Sequence, residues 1–220
     1  MHVNRKERQS TIISFSGIDG AGKSTQIDNL RGQLQQSGKS VGLITFWDDV
    51  ARLKGIREGA GHKLFKGDAG VGSPERPIKR QDKNVQSPLM SMVRLVLYLL
   101  DALSLRTKVR EALRSGFDVV IFDRFMYDEL ANLNLANPAA RLYIRSVMRL
   151  IPRPRVSFIL DADPVQACAR KPEYPLEFVH ANRRAYLALA DLLGGMTVIP
   201  PLPLDLAKAE VVAHVLPSTL

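Results

Sequence analysis

Residues 17–24 read Gly-Ile-Asp-Gly-Ala-Gly-Lys-Ser, a complete G-x-x-x-x-G-K-[ST] pattern. It lies between an apolar run, Thr11-Ile-Ile-Ser-Phe15, and a helix-compatible stretch from Thr25 to Gln36. That setting constrains the fold more than the string does. A strand must deliver the loop and a helix must begin at its end, so that free backbone N–H groups and the helix dipole converge on phosphate oxygens. The glycines allow a close approach that a side chain would block. Lys23 can then reach the β/γ-phosphates, and the Ser24 hydroxyl can ligate Mg²⁺. Gly17, Gly20, Ala21, Gly22, Lys23, Ser24 and Thr25 are the candidate nucleoside-triphosphate site.

Short apolar runs alternate with helical stretches along the rest of the chain. Strands are expected at 12–16, 40–46, 118–122, 156–160 and 196–199. Helices are expected at 24–36, 89–115, 138–151, 164–170, 176–193 and 204–216. Strands that are apolar without alternation imply a parallel sheet covered on both faces, an α/β architecture. The segment 48–87 breaks the rhythm with glycine, lysine and proline. It reads either as a solvated insertion or as a basic flap over a phosphorylated ligand. The 220 residues suit one domain.

The net charge of +9 raises the question of nucleic acid. Residues 51–87 hold nine Lys/Arg against four Asp/Glu, so five of those charges are local. No interleaved aromatic platform accompanies them, which argues against nucleic-acid binding. The single cysteine, Cys168, excludes an internal disulfide, and the four histidines lack zinc-ligand spacing. No apolar run approaches a membrane span, and Met90–Leu100 reads as a buried helix. With no signal-peptide pattern, the expected location is cytoplasmic.

A second phosphate-site element is Val119-Val-Ile-Phe-Asp123, four apolar strand residues ending in a carboxylate. At a strand C-terminus Asp123 would share the loop's crevice and could hold Mg²⁺ through water. Arg124 follows and suits a bidentate grip on a substrate phosphate. The alternative for this pair is a local cap or salt bridge.

The run Ile13–Gln26 resembles the phosphate loop of thymidylate kinases, and Phe122-Asp-Arg-Phe125 resembles their Asp-Arg-Tyr/Phe/His motif. Leu160–Pro164 is similar to the strand before their lid, and Ala181–Ala190, with Arg183, Arg184 and Tyr186, to the helix after it. The resemblance implies a P-loop NTPase fold of about five parallel strands. It also implies transfer of the ATP γ-phosphoryl, with Mg²⁺, to dTMP or a related nucleotide. Asp19 would approach the acceptor, and Arg124 would hold its phosphate. Gly20 stands where some members carry an arginine, so Arg170 or Lys171 of a short lid, about 170–176, would supply that cation. The family also implies a possible homodimer through helices beside the sheet.

Departures fall at the acceptor end. After the second strand the chain reads Thr45-Phe-Trp-Asp-Asp-Val50, without the family's arginine and glycines. Near Leu100-Asp101 of the long helix no arginine stands, leaving Arg94 or Arg106 as substitutes. Trp47 reads equally as an acceptor-base platform or as core. Tyr174 reads as a lid contact or as plain surface, and the Arg141, Arg145, Arg149 stripe as a solvated helix face. Two other functions stay open. One is a kinase of a nucleoside, sugar or other hydroxylated acceptor, with Asp19, Asp48 or Asp49 as base. The other is a non-catalytic nucleotide-binding regulator.

Overall fold

The computed structural model describes residues 10–50 and 88–216, so the expected insertion at 48–87 lies almost wholly outside the described residues. Five strands form one parallel sheet: β1 (Thr11–Gly17), β2 (Val41–Thr45), β3 (Val119–Asp123), β4 (Val156–Leu160) and β5 (Thr197–Ile199). Their order is β2-β3-β1-β4-β5, which puts the loop-bearing strand at the centre. Around them lie α1 (Lys23–Gln36), α2 (Pro88–Leu113), α3 (Met126–Leu130), α4 (Pro138–Leu150), α5 (Pro164–Arg170), α6 (Leu176–Leu193) and α7 (Leu204–Val215).

Successive strand residues point to opposite faces, and here both faces are dry. Ile12, Val120, Phe122 and Ile159 join one core with residues of α2, α4 and α6. Ile13, Phe15, Val119, Ile121 and Phe158 join another with α1 and α7. Each such side chain contributes about 1.5–3 kcal/mol when fully buried, so continuous apolar runs are what this sheet requires.

In α1, Ile27, Leu30 and Leu34 are buried at helical spacing. The helix closes where the Gly38 N–H donates to the Gln35 carbonyl, with Gly38 at φ +74°. In α2, Tyr98, Ala102, Leu105, Val109 and Ala112 face the core at intervals of three and four. Its N-terminal half differs from the expected buried helix. Met92, Val93, Val96, Leu99, Leu100 and Leu103 are exposed, Met92 to 66%. Both stripes satisfy one apolar composition, and composition alone does not say which of them meets the sheet. No helix among the described residues is long and apolar enough to cross a membrane.

Two further elements depart from expectation. The second strand ends at Thr45, and residues Phe46–Val50 form a π-helical turn. Asp49 holds that turn by accepting the Thr45 N–H at 2.7 Å. The segment after Arg124 forms a short helix, α3, where none was expected.

Candidate active site

The register that pairs Phe15 with Asp123 sets the end of β3 beside the loop that leaves β1. The loop's shape rests on Gly17, Gly20 and Gly22, at φ +140°, +80° and +86°. At two of them space is also forbidden. A Cβ on Gly17 would stand 2.5 Å from the Leu160 carbonyl oxygen, and one on Gly20 would stand 2.3 Å from that of Ala167. The loop is therefore seated on the backbone of β4 and α5. Gly20 cannot be exchanged for arginine without moving α5.

Gly22 caps α1 in the left-handed conformation with no side-chain partner for the first-turn N–H groups. Ser24 and Thr25 open the helix and are exposed. Lys23 is buried and curls back, donating from Nζ to the carbonyls of Gly17 at 2.8 Å and Ile18 at 2.9 Å. Burial, and after it the Arg124 charge, bring its pKa down to about 8, against the pull of Asp128, Asp19 and Asp123.

Asp19 gathers the cations of the crevice. It accepts a hydrogen bond from Arg124 Nη2, and Lys23 Nζ and Lys171 Nζ each lie 3.9 Å from its Oδ1. Burial alone would raise its carboxyl. Arg124, Lys23 and Lys171 outweigh burial and hold it below the usual carboxylate range. Lys171 also pairs with Glu173 at 3.3 Å. Arg170 is exposed and donates from Nε to the Gln166 carbonyl of its own helix at 3.2 Å. Of the two lid cations, Lys171 is the one the structure brings to Asp19.

Arg124 is the one non-glycine residue with positive φ among those described, at +68°. A left-handed backbone costs a side-chain-bearing residue on the order of 1–2 kcal/mol. Its N–H donates to the Phe15 carbonyl at 2.9 Å, and its Nη1 to Asp128 Oδ1 at 2.9 Å. Burial opposes its charge, but Asp128 and Asp19 more than compensate and raise its pKa. Asp123 is half-buried beside it, and burial pushes its carboxyl up against the countering charges of Arg124 and Lys23.

Asp128 was not singled out from the sequence. Its Oδ2 accepts from the Ser16 hydroxyl at 2.5 Å and the Phe125 N–H at 3.2 Å. Its Oδ1 accepts from Arg124 and from the Tyr186 hydroxyl at 2.8 Å. The available signal was local. It was no more than an acid standing four residues after Arg124.

The expected acceptor residues do not all converge. Trp47 is partly buried, packs on the core and meets Phe46 edge-to-face at 5.4 Å. Arg94 is partly exposed and lies near buried Tyr98, where its charge offsets that of Glu129. Tyr174 packs against Phe178 at 5.0 Å and also on the core. Arg183, noted only by resemblance, grips Asp161 through two bonds of 2.6 and 2.7 Å and ties α6 to the end of β4. Arg141, Arg145 and Arg149 are all exposed.

No group of three His, Cys, Asp or Glu side chains among the described residues could hold a metal unaided. Magnesium bound with phosphates needs only one or two protein oxygens. The exposed Ser24 hydroxyl and the half-buried Asp123 carboxylate are oxygens of the kind it takes. The donor set fits.

No protein-family model matches the chain. It is 28% identical over 181 residues to the probable thymidylate kinase of Methanosphaera stadtmanae, spanning 80% of this chain and 82% of that one. It is 30% identical over 169 residues to the thymidylate kinase of Chlorobaculum parvum, spanning 73% and 65%. A match of 26% identity to the probable thymidylate kinase of Archaeoglobus fulgidus runs over 208 residues, 91% of this chain and 92% of that one. Among solved structures, a thymidylate kinase from Ehrlichia chaffeensis shares the fold with a TM-score of 0.61 at 20% identity, covering 94% and 99% of the two chains.

Proposed function

Because this chain belongs to a thymidylate-kinase-like family, we propose that it transfers the γ-phosphoryl of ATP to dTMP or a closely related nucleoside monophosphate. The observation that carries this reading is the convergence of Arg124, Lys23 and Lys171 on Asp19, at the mouth of a complete phosphate loop. A hydroxyl acceptor needs a poised base. Asp19 is held below the usual carboxylate range by its cations and is a poor one. Asp49 is occupied in its turn.

A phosphate acceptor is already an anionic nucleophile, so alignment and charge neutralisation supply the catalysis. On this reading the loop N–H groups and Lys23 bind the donor phosphates. Lys23 exchanges its two loop carbonyls for phosphate oxygens. Arg124 takes the acceptor phosphate, and Asp19 holds the fork until that phosphate arrives. Lys171 follows the charge that develops between them, and the lid excludes water. Ser24 and Asp123 would hold Mg²⁺, which when bound neutralises the donor phosphates.

The reading takes residues 1–220 as one kinase domain, in the cytoplasm, acting on small nucleotides. It gives the outward stripe of α2, Met92 to Leu103, to contact between two copies of the chain. Sedimentation velocity tests that contact. Coupled ATP-consumption assays over a panel of nucleoside monophosphates test the activity. Turnover with dTMP is expected, and ATP binding with no acceptor-dependent turnover on any of them would refute the reading.

A further inference from the structure

Arg124 keeps a backbone conformation that persists only where neighbours over-determine it. Two carboxylates share its guanidinium, and they differ in kind. Asp19 lies on the loop, with its side chain 23% exposed, and that of Asp128 is 2% exposed. Four donors reach Asp128: Ser16 at the end of β1, the Phe125 backbone, Arg124 itself, and Tyr186 of α6. Ser16, Phe125 and Tyr186 are themselves buried. A carboxylate satisfied on both oxygens by fixed, buried donors has no room to exchange partners. The carboxylate on the loop does.

We propose that Asp128 is the positioning residue for the acceptor phosphate, holding the Arg124 fork from beneath while Asp19 yields its side of the fork to the incoming phosphate. This rests on the kinase reading above. Asp128 touches no substrate and acts on the acceptor phosphate through Arg124. Tyr186 belongs to the helix that follows the lid, so the same carboxylate joins the lid's trailing helix to the grip on the acceptor.

The test is calorimetric binding of dTMP and, separately, of Mg-ATP to the full-length protein, with melting temperatures alongside. Asp128→Asn keeps the shape, removes the charge and turns a donor toward donors. It should weaken dTMP binding by about 10–100-fold and leave Mg-ATP within about twofold. In an Arg124→Ala background the same change should add less than about twofold, because its route is already gone. Tyr186→Phe, which keeps the charge and guards against a misfolded Asn variant, should cost dTMP alone about 2–5-fold. Equal losses for both ligands, equal losses in both backgrounds, or a lowered melting temperature with both affinities intact would overturn the proposal. Wild-type protein that binds no nucleoside monophosphate would overturn the kinase reading and this proposal together. Wild-type dTMP binding that survives Asp128→Asn unchanged would overturn this proposal alone.

Discussion

On the proposed reading, the donor and acceptor ends of the crevice are built from different materials. The donor end is backbone: three glycines with positive φ, a helix start with no side-chain cap bond and one lysine turned on its own loop. The acceptor end is side chain: Arg124, Asp19, Asp128, Tyr186 and Lys171, brought from four separate places in the sequence. A site made of backbone tolerates little local substitution and needs few partners. One made of side chains can be retuned residue by residue, and it is at that end that the chain departs from the thymidylate-kinase pattern.

Substitutions can test that contrast. Lys23→Ala should lower turnover by about 10³-fold or more, since nothing else in the loop carries charge to the donor phosphates. Full activity would refute the donor assignment. Arg124→Lys keeps the charge but loses the fork, and should reduce kcat/KM for the acceptor by about 10²-fold with little change in KM for ATP.

The glycines separate steric from conformational demand. Gly20→Ala meets the Ala167 carbonyl and should lose about 1–3 kcal/mol in denaturant unfolding. Gly22→Ala meets nothing within 4 Å and should lose only the left-handed cost, about 1 kcal/mol. Equal losses would mean that the seat on α5 carries no weight.

At the lid, Lys171→Ala should slow turnover by about tenfold, and Arg170→Ala should stay within about twofold. The reverse ranking would move the lid cation to Arg170.

The smallest effect is a proton. Lys23 in the free protein titrates near pH 8 because it is buried. Phosphate oxygens favour its charged form, so ATP binding at pH 8 should take up about half a proton. ATP affinity should hold below that pH and fall above it, by at most about tenfold per pH unit. Calorimetry in buffers of different ionisation enthalpy reads the uptake, which Lys23→Met should abolish.

This division also explains what could be read from the sequence. The sheet was legible because strands buried on both faces are apolar without alternation, as in Val119–Phe122. The loop was legible because its glycines leave a fixed pattern. Helix α3 was not, since five residues are too few to show a 3.6-residue period. The turn at Phe46–Val50 was not legible either, because Phe46 extends the β-favouring run and five residues are too few to show a period. The choice between Arg170 and Lys171 depends on where one helix ends and the direction each side chain takes from it. Asp128 was missed because its four partners are scattered from Ser16 to Tyr186.

The seat of Gly20 on the Ala167 carbonyl also sets a rule for redesign. Grafting an arginine into the loop would require α5 to withdraw, and Lys171 at its end would be carried away with it. Loop arginine and lid lysine are thus rival answers to one charge. This backbone has room for one of them at a time.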